Sequence, residues 1–328
     1  MAYGVVSVDS IITSDNITLG GSSAASLKNR LINGGMAIDQ RNSGAVQTFT
    51  AGADLAYSVD RWYAFCTGAN VTGQQVAGSY LTSQYLYQFT GAASVTSIAF
   101  GQRIEAVNSY DLAGGNATIS VYMANSALTS VTWTAYYANT TDAFGTVPSP
   151  TRTQIASGTI TVTSTLAKYS VTVAVPTAAT TGIEIVFSVG AQTGGNWLIG
   201  QPQFEKGSAA TSFDYRPYGI ELLLCQRYYE QTTALTGFQH TVVSVAVASA
   251  FVQGTKFMVQ KRIAPTVVLY SRNGTINTVS SIDTGSDVGT VVTPTATSKN
   301  SFHAAQDSGG GFTKGNGYEY NYSAYAEL

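Results

Sequence analysis

Charge is the scarcest commodity in this chain of 328 residues: Asp, Glu, Lys and Arg make up 10% of it, against about 25% in a typical soluble protein. The formal net charge is −2, so there is no basic field to displace counterions from nucleic acid and no polybasic membrane anchor. Histidine is nearly absent. His240 and His303 are the only two, and neither sits in a Gly-x-Ser-x-Gly elbow or a His-Glu-x-x-His pair, which leaves triad and zinc hydrolysis without their usual base or ligands. The two cysteines, Cys66 and Cys225, lie far apart in apolar sequence, as buried free thiols do. No apolar run approaches the roughly 18 residues of a membrane span, and the start shows no charged segment leading into an apolar one, so neither membrane insertion nor a secretory signal is expected. The Gly-rich stretches at Gly194-Gly195 and Gly309–Gly311 are not followed by Lys-Ser or a Rossmann helix, and phosphate binding has no support.

What is abundant is Ser, Thr, Ala, Gly, Asn and Val, with aromatics at 11%. Such a polar but uncharged covering suits β proteins of extracellular and viral structures. Period-two patterns predict strands over 57–65, 80–89, 97–107, 117–124, 131–138, 158–163, 167–175, 183–189 and 197–204, nearly all separated by Gly, Asn, Ser or Pro. About eight to ten strands without intervening helices argue for an antiparallel sandwich. In 57–65 the alternation would set Tyr57, Val59, Arg61, Tyr63 and Phe65 on one face. The pattern resumes over 241–251, 257–259, 266–270, 274–279 and 288–292. It closes on Tyr318–Leu328, whose Tyr318, Tyr320, Tyr322, Ala324 and Ala326 share a side.

Two stretches interrupt this pattern. Residues 1–30 are too short for a core and end in Gly20-Gly21-Ser-Ser-Ala-Ala, reading either as an arm that docks on a partner or as a frayed terminus. Asp214–Glu230 carries Pro217, Gly219 and the run Glu221-Leu-Leu-Leu-Cys225 without β-branched residues, which predicts a short helix running into a strand. The fold expected is all-β: an N-terminal arm (1–30), an antiparallel jelly-roll sandwich (31–217), a short linking helix, and a smaller C-terminal β-sandwich, the last two within 218–328. Leu222, Leu223, Leu224, Tyr228 and Tyr229 make the joint too apolar for a free tether.

Sugar binding needs an aromatic face and side chains for hydroxyls. Trp62, Trp133 and Trp197 lie in strand patterns and read as core, and one of Tyr136 and Tyr137 must face outward. Residues 301–317 read as a Gly-rich tip loop, either merely solvated or a recognition surface. The candidate ligand-binding residues are His303, Asp307, Lys314, Asn316 and Tyr137; no catalytic residue is assigned, because no acidic pair sits in an aromatic-lined run.

Four ordered motifs carry a family resemblance: Leu31-Ile-Asn-Gly-Gly-Met-Ala-Ile-Asp-Gln-Arg-Asn42, Tyr57-Ser-Val-Asp-Arg-Trp62, Gln201-Pro-Gln-Phe-Glu-Lys-Gly-Ser-Ala-Ala-Thr-Ser-Phe213, and Tyr215-Arg-Pro-Tyr-Gly through Cys225-Gln-Arg-Tyr-Tyr229. Together they resemble the signature run of bacteriophage tail-fibre and receptor-binding proteins with a carbohydrate-binding-module-like jelly roll. The resemblance covers residues 31 to 230 and, more distally, the ending Tyr322-Ser-Ala-Tyr-Ala-Glu-Leu328. It implies a homotrimer in the virion tail fibre, made in the host cytoplasm. Its arm would contact other tail or baseplate proteins, and its distal part would bind host surface polysaccharide without cleaving it. The alternative is a structural virion connector or decoration protein whose jelly roll only packs against protein. Jelly rolls of this kind often hold a structural calcium between first turn and last strand. Asn33, Gln203 and Glu205 lie in matching places, but Gly34-Gly35 replaces the acid such a site needs, so no cofactor is expected. Asp39, Arg41, Asp60 and Arg61 are either sugar contacts or internal ion pairs.

Overall fold

A computed structural model describes residues 10–12, 18–20, 27–78, 84–232, 251–289, 292–295, 297–306 and 311–328. The expected strand over 241–251 and the candidate Asp307 lie essentially outside them. A hairpin of β1 (Ser10–Ile12) and β2 (Thr18–Gly20) comes first. Then follow β3 (Gln47–Phe49), β4 (Ala56–Tyr57), β5 (Tyr63–Thr67), β6 (Val71–Ala77), β7 (Tyr85–Thr90) and β8 (Ser97–Ile104). After a short helix, α1 (Ala106–Ser109), come β9 (Asn116–Asn125), β10 (Ser130–Ala138), β11 (Arg152–Thr161), β12 (Ala167–Ala174), β13 (Ile183–Val189) and β14 (Asn196–Lys206). These twelve strands form two antiparallel six-stranded sheets, ordered β11-β10-β13-β8-β5-β4 and β12-β9-β14-β7-β6-β3.

Alternation explains the sandwich. Along β13, Ile183, Ile185, Phe187 and Val189 enter the core while Glu184, Val186 and Ser188 take the other side. Their inward partners from the facing sheet include Ile119, Val121, Met123, Trp197 and Phe204. All three tryptophans are core residues, as their strand patterns implied. Trp62 stacks on Phe100 with ring centroids 4.8 Å apart, and Phe100 in turn stacks on Tyr87.

Several expected boundaries move. The single strand expected over 57–65 is a hairpin: Ser58 N–H donates to Trp62 O and Trp62 N–H to Val59 O, and Arg61 turns the chain at φ +72°. No glycine marks that turn, and alternation continues through it, so the sequence does not show it. The strand expected over 97–107 stops at Ile104, before α1.

Beyond the sandwich, α2 (Tyr218–Gln226) leads into β15 (Tyr229–Thr232), the helix-then-strand form expected of the joint. The distal part has β16 (Phe251–Lys256), β17 (Thr266–Tyr270), β18 (Val279–Ser281), β19 (Asp287–Val288), β20 (Thr293–Thr295), β21 (Ser301–Gln306), β22 (Tyr318–Glu319) and β23 (Asn321–Tyr325). They form three small antiparallel sheets, β15-β23-β17, β16-β21-β20 and β19-β18-β22. Tyr318, Tyr320, Tyr322 and Ala324 enter the distal core with Phe257, Leu269, Val279 and Phe302. The other side is buried too, Glu319, Asn321 and Ser323 included, because the terminal stretch splits between two sheets instead of forming one edge.

The joint is packed. Ile32, Ile38, Cys225 and Tyr228 form a third buried cluster, with Leu222, Leu224 and Leu328 against it. Arg41, Asp60 and Arg61 serve internal ion pairs here: Glu327 pairs with both Arg41 and Arg61, and Arg41 also lies 3.6 Å from Asp60. The Arg41 guanidinium sits 3.7 Å from the Tyr229 ring centroid and that of Arg61 3.5 Å from Tyr228, cation–π contacts that tie jelly roll to joint. Burial pushes the Asp60 carboxyl up to about 7, against the pull of Arg41 and of the hydrogen bonds from Gln40. A raised carboxyl holds its proton in the folded chain when the unfolded chain has lost it. Stability is therefore expected to fall as pH rises from about 4 to about 7 on this group's account. Denaturant unfolding across that window should show the slope flatten in Asp60→Asn; an unchanged slope would remove Asp60 as its source.

Candidate functional site

The outer face of the first sheet is where half-buried aromatics meet small polar side chains. Register sets them in cross-strand rows. One row runs Phe65, Ala99, Ser188, Thr132, Thr159; the next runs Tyr57, Tyr63, Gly101, Val186, Thr134, Ser157; a third runs Arg103, Glu184, Tyr136, Gln154. Gly101 is required at its position, since a Cβ there would lie 2.6 Å from the Tyr63 hydroxyl and 2.9 Å from Ile185 O. Tyr63 therefore lies low across the sheet, stacked at 6.5 Å with Phe65 and edge-on to Tyr57.

Glu184 organises the lower end of this face. Fully buried, it accepts from Tyr63 Oη at 2.6 Å and Arg103 Nε at 2.8 Å, and it pairs with Arg152. Arg152 also lies over the Tyr136 ring, 4.2 Å from its centroid. Burial, then the Glu184 carboxylate, pushes the Tyr63 phenol well above its ordinary range, so it stays a hydrogen-bond donor. Leu328 O and Gly145 O, each accepting from Arg103, close that end. The rest of the face is open: Ser157, Thr159 and Gln154 are exposed, and Phe65, Thr132, Ser188 and Tyr136 are half-buried. The face thus offers hydroxyls and an amide that both donate and accept, between two aromatic positions, with its two guanidiniums held by the one buried carboxylate.

The candidate residues fall in several places. Tyr137 belongs to the core-facing side of β10, packed against the main core, and Tyr136 is the outward one of the pair. His303 is exposed on β21, opposite Gly254 of β16. Residues 301–306, read as the start of a loop, are a strand because Phe302, Ala304 and Gln306 alternate into the interior. Lys314 is exposed and Asn316 half-buried in the following connection, and no hydrogen bond or ion pair among the described residues joins either to His303. Gly101 and Glu184 were not singled out by the sequence, since their roles depend on cross-strand register.

The residues matched to calcium are engaged by protein donors. Glu205 Oε1 accepts from Thr211 N–H at 2.8 Å and from Gln203 Nε2 at 2.7 Å, and Glu205 Oε2 from Thr211 Oγ1 at 2.7 Å. Gln203 Oε1 accepts from Asp214 N–H at 2.8 Å, while Asn33 Oδ1 accepts from Ile38 N–H at 3.0 Å on a different loop. Their oxygens are already used by protein donors, and no group of three His, Cys, Asp or Glu gathers among the described residues.

No family model matches the chain, and no curated protein matches it. Among solved structures it is similar to the enzymatically active domain of bacteriophage CBA120 tailspike protein 4, at 16% identity and a TM-score of 0.35 over 56% of this chain and 22% of that one. It is also similar to the xylan-binding domain of Paenibacillus barcinonensis Xyn10C, at 13% identity and a TM-score of 0.32 over 47% of this chain and 99% of that one. A third is the family 22 carbohydrate-binding module of Clostridium thermocellum Xyn10B, at 12% identity and a TM-score of 0.33 over 47% and 91%.

Proposed function

We propose that the chain is a bacteriophage tail-fibre subunit that attaches the virion to glycans of the host surface and does not cleave them. The observation that carries the glycan reading is the open part of the first sheet's outer face, where neutral hydroxyl and amide groups lie between Phe65 and Tyr136 and the buried Glu184 holds both neighbouring guanidiniums. Neutral sugars need such a surface: C–H faces against aromatic rings, and hydroxyls met by groups that donate and accept. The virion reading rests on the ordered motif series of residues 31 to 230. With it go a homotrimer, location in the tail fibre, contacts of the N-terminal arm with other tail or baseplate proteins, and added glycan contacts from the distal tip at His303, Asp307, Lys314 and Asn316.

Purified full-length chain, applied to an array of host envelope polysaccharides, is expected to bind at least one. Tyr136→Ala should weaken that binding about tenfold, equivalent to roughly 1.4 kcal/mol, with no release of reducing ends. A chain that binds no envelope polysaccharide would defeat the glycan reading, and release of reducing ends would defeat the non-enzymatic part. A second reading, a connector or decoration subunit, draws on the exposed apolar side chains of Val107, Tyr110, Ile220 and Leu223, which suit protein packing. Imaging of the particle separates the two: a free distal end favours attachment, and contacts at both ends favour the connector.

A further inference from the structure

A cleft of about 260 Å³ opens at the joint, lined by Asn33, Gly35 and Ala37 of the first loop, by Gln84, and by residues of the stretch from Phe213 to Glu221. Its floor is a buried ion pair. Arg216 Nη1 donates to Glu221 Oε1 at 3.1 Å, and the two side chains are 4% and 10% exposed. Arg216 also donates to Leu31 O and Asn29 O, and Asn33 N–H donates to the Glu221 carboxylate, so the floor is pinned from several sides. The two terminal guanidinium nitrogens find protein acceptors, and Nε lies 3.8 Å from Asp214 Oδ2, whereas Glu221 Oε2 has only a long 3.5 Å contact with Arg216. That oxygen keeps accepting capacity.

The walls are aromatic and open. Tyr215 and Tyr218 are 63% and 61% exposed although they flank this packed floor, and Phe213 is half-buried beside them. Chain geometry explains their exposure. Arg216 must turn inward to reach Glu221, five residues on, so the residue before it turns outward, and Pro217 starts α2 with Tyr218 in its first, solvent-facing turn. Two rings held open over this floor, with the exposed Gln84 at the rim, match a small neutral ligand that has both C–H faces and hydroxyls. Anions are disfavoured because the single Arg216 guanidinium is already shared by two carboxylates, Glu221 at 3.1 Å and Asp214 at 3.8 Å. The volume lies below the roughly 300–1,000 Å³ of clefts that enclose drug-sized molecules, which limits the occupant to about one ring.

We infer that this cleft is a second, independent carbohydrate site that takes a single neutral sugar ring, with Tyr215 and Tyr218 against its faces and the Glu221 carboxylate and Gln84 amide on its hydroxyls. It shares no residue with the sheet face, so each site stands or falls alone. Saturation-transfer NMR on the full chain tests it with methyl glycosides of glucose, galactose, mannose and N-acetylglucosamine, and with glucuronic acid as the charged control. In a Tyr136→Ala background, where the sheet face is weakened, at least one neutral glycoside should receive saturation, and that signal should fall at least fivefold when Tyr215→Ala/Tyr218→Ala is added. Tyr215→Phe/Tyr218→Phe, which keeps both rings, should retain it. Both tyrosines are exposed, so thermal unfolding of the alanine variant should stay close to that of the parent. No transfer to any neutral glycoside, transfer that survives the alanine variant, loss of transfer in the phenylalanine variant, or transfer to glucuronic acid alone would each overturn the assignment.

Discussion

Lys261→Met is expected to destabilise the fold by about 3–5 kcal/mol, and Lys261→Met/Glu230→Gln to recover most of that loss. Lys261 is fully buried, with its ammonium on Glu230 and on Gln226 O. Glu230 is as deeply placed, accepting also from Met258 N–H at 3.1 Å and from the Tyr322 hydroxyl. Burial drives the Lys261 ammonium below its ordinary range while Glu230 pulls it back up, so the ion pair is what keeps the charge there. Removing the cation strands a carboxylate in the interior, and that desolvation cost is what the variant should show. Restoring neutrality with Gln leaves acceptors and donors for the same neighbours. Because Glu230 sits on β15 directly after α2, the pair also ties the distal core to the joint. Urea unfolding by far-ultraviolet circular dichroism measures the effect. A single variant within 1 kcal/mol of the parent, or a double variant no better than the single, would show that the pair is not integral to the core.

Glu184→Ala should be nearly as costly, again on the order of 3–5 kcal/mol, and should also abolish glycan binding by the sheet face. The carboxylate is the shared partner of Arg103, Arg152 and the Tyr63 hydroxyl. Without it two guanidiniums lose their counter-charge under the segment that ends in Leu328, and Arg152 loses the anchor that holds it over Tyr136. Glu184→Gln, which keeps an acceptor, should lose less stability. A sandwich of this size would show the alanine variant as a drop in melting temperature on the order of 10 °C. Unchanged binding at matched folded fraction would mean that the Tyr136 end of the face does not depend on this cluster, and would move the glycan contact elsewhere.

Part of this site could be read from the chain and part could not. Apolar alternation in 117–124, 131–138, 183–189 and 197–204 fixed which side of each strand meets the core, and therefore that one of Tyr136 and Tyr137 points out. The same parity groups Tyr137 with Val131, Trp133 and Ala135, which makes Tyr136 the outward one and the candidate Tyr137 its core-side neighbour. The Asp60-Arg61 turn was hidden because alternation runs through it unbroken and its left-handed residue is an arginine. Tyr215 and Tyr218 entered the sequence reading only as part of the motif series. Only the inward reach of Arg216 toward Glu221 turns them outward.

By itself, the sequence determined an all-β chain with a helical joint, buried tryptophans and thiols, and a surface of hydroxyls and amides in place of charge. Each of these follows from local pattern and composition, which act through nearest neighbours. Tertiary structure decided the rest: the rows that bring Phe65, Gly101, Glu184 and Tyr136 onto one face, the ion pairs of Glu184 with two guanidiniums beneath it, and the cleft at the joint. Those depend on register and on contacts between distant residues, from 32 positions apart for Arg152 and Glu184 to 188 for Asn33 and Glu221, for which no short stretch of sequence carries a signal.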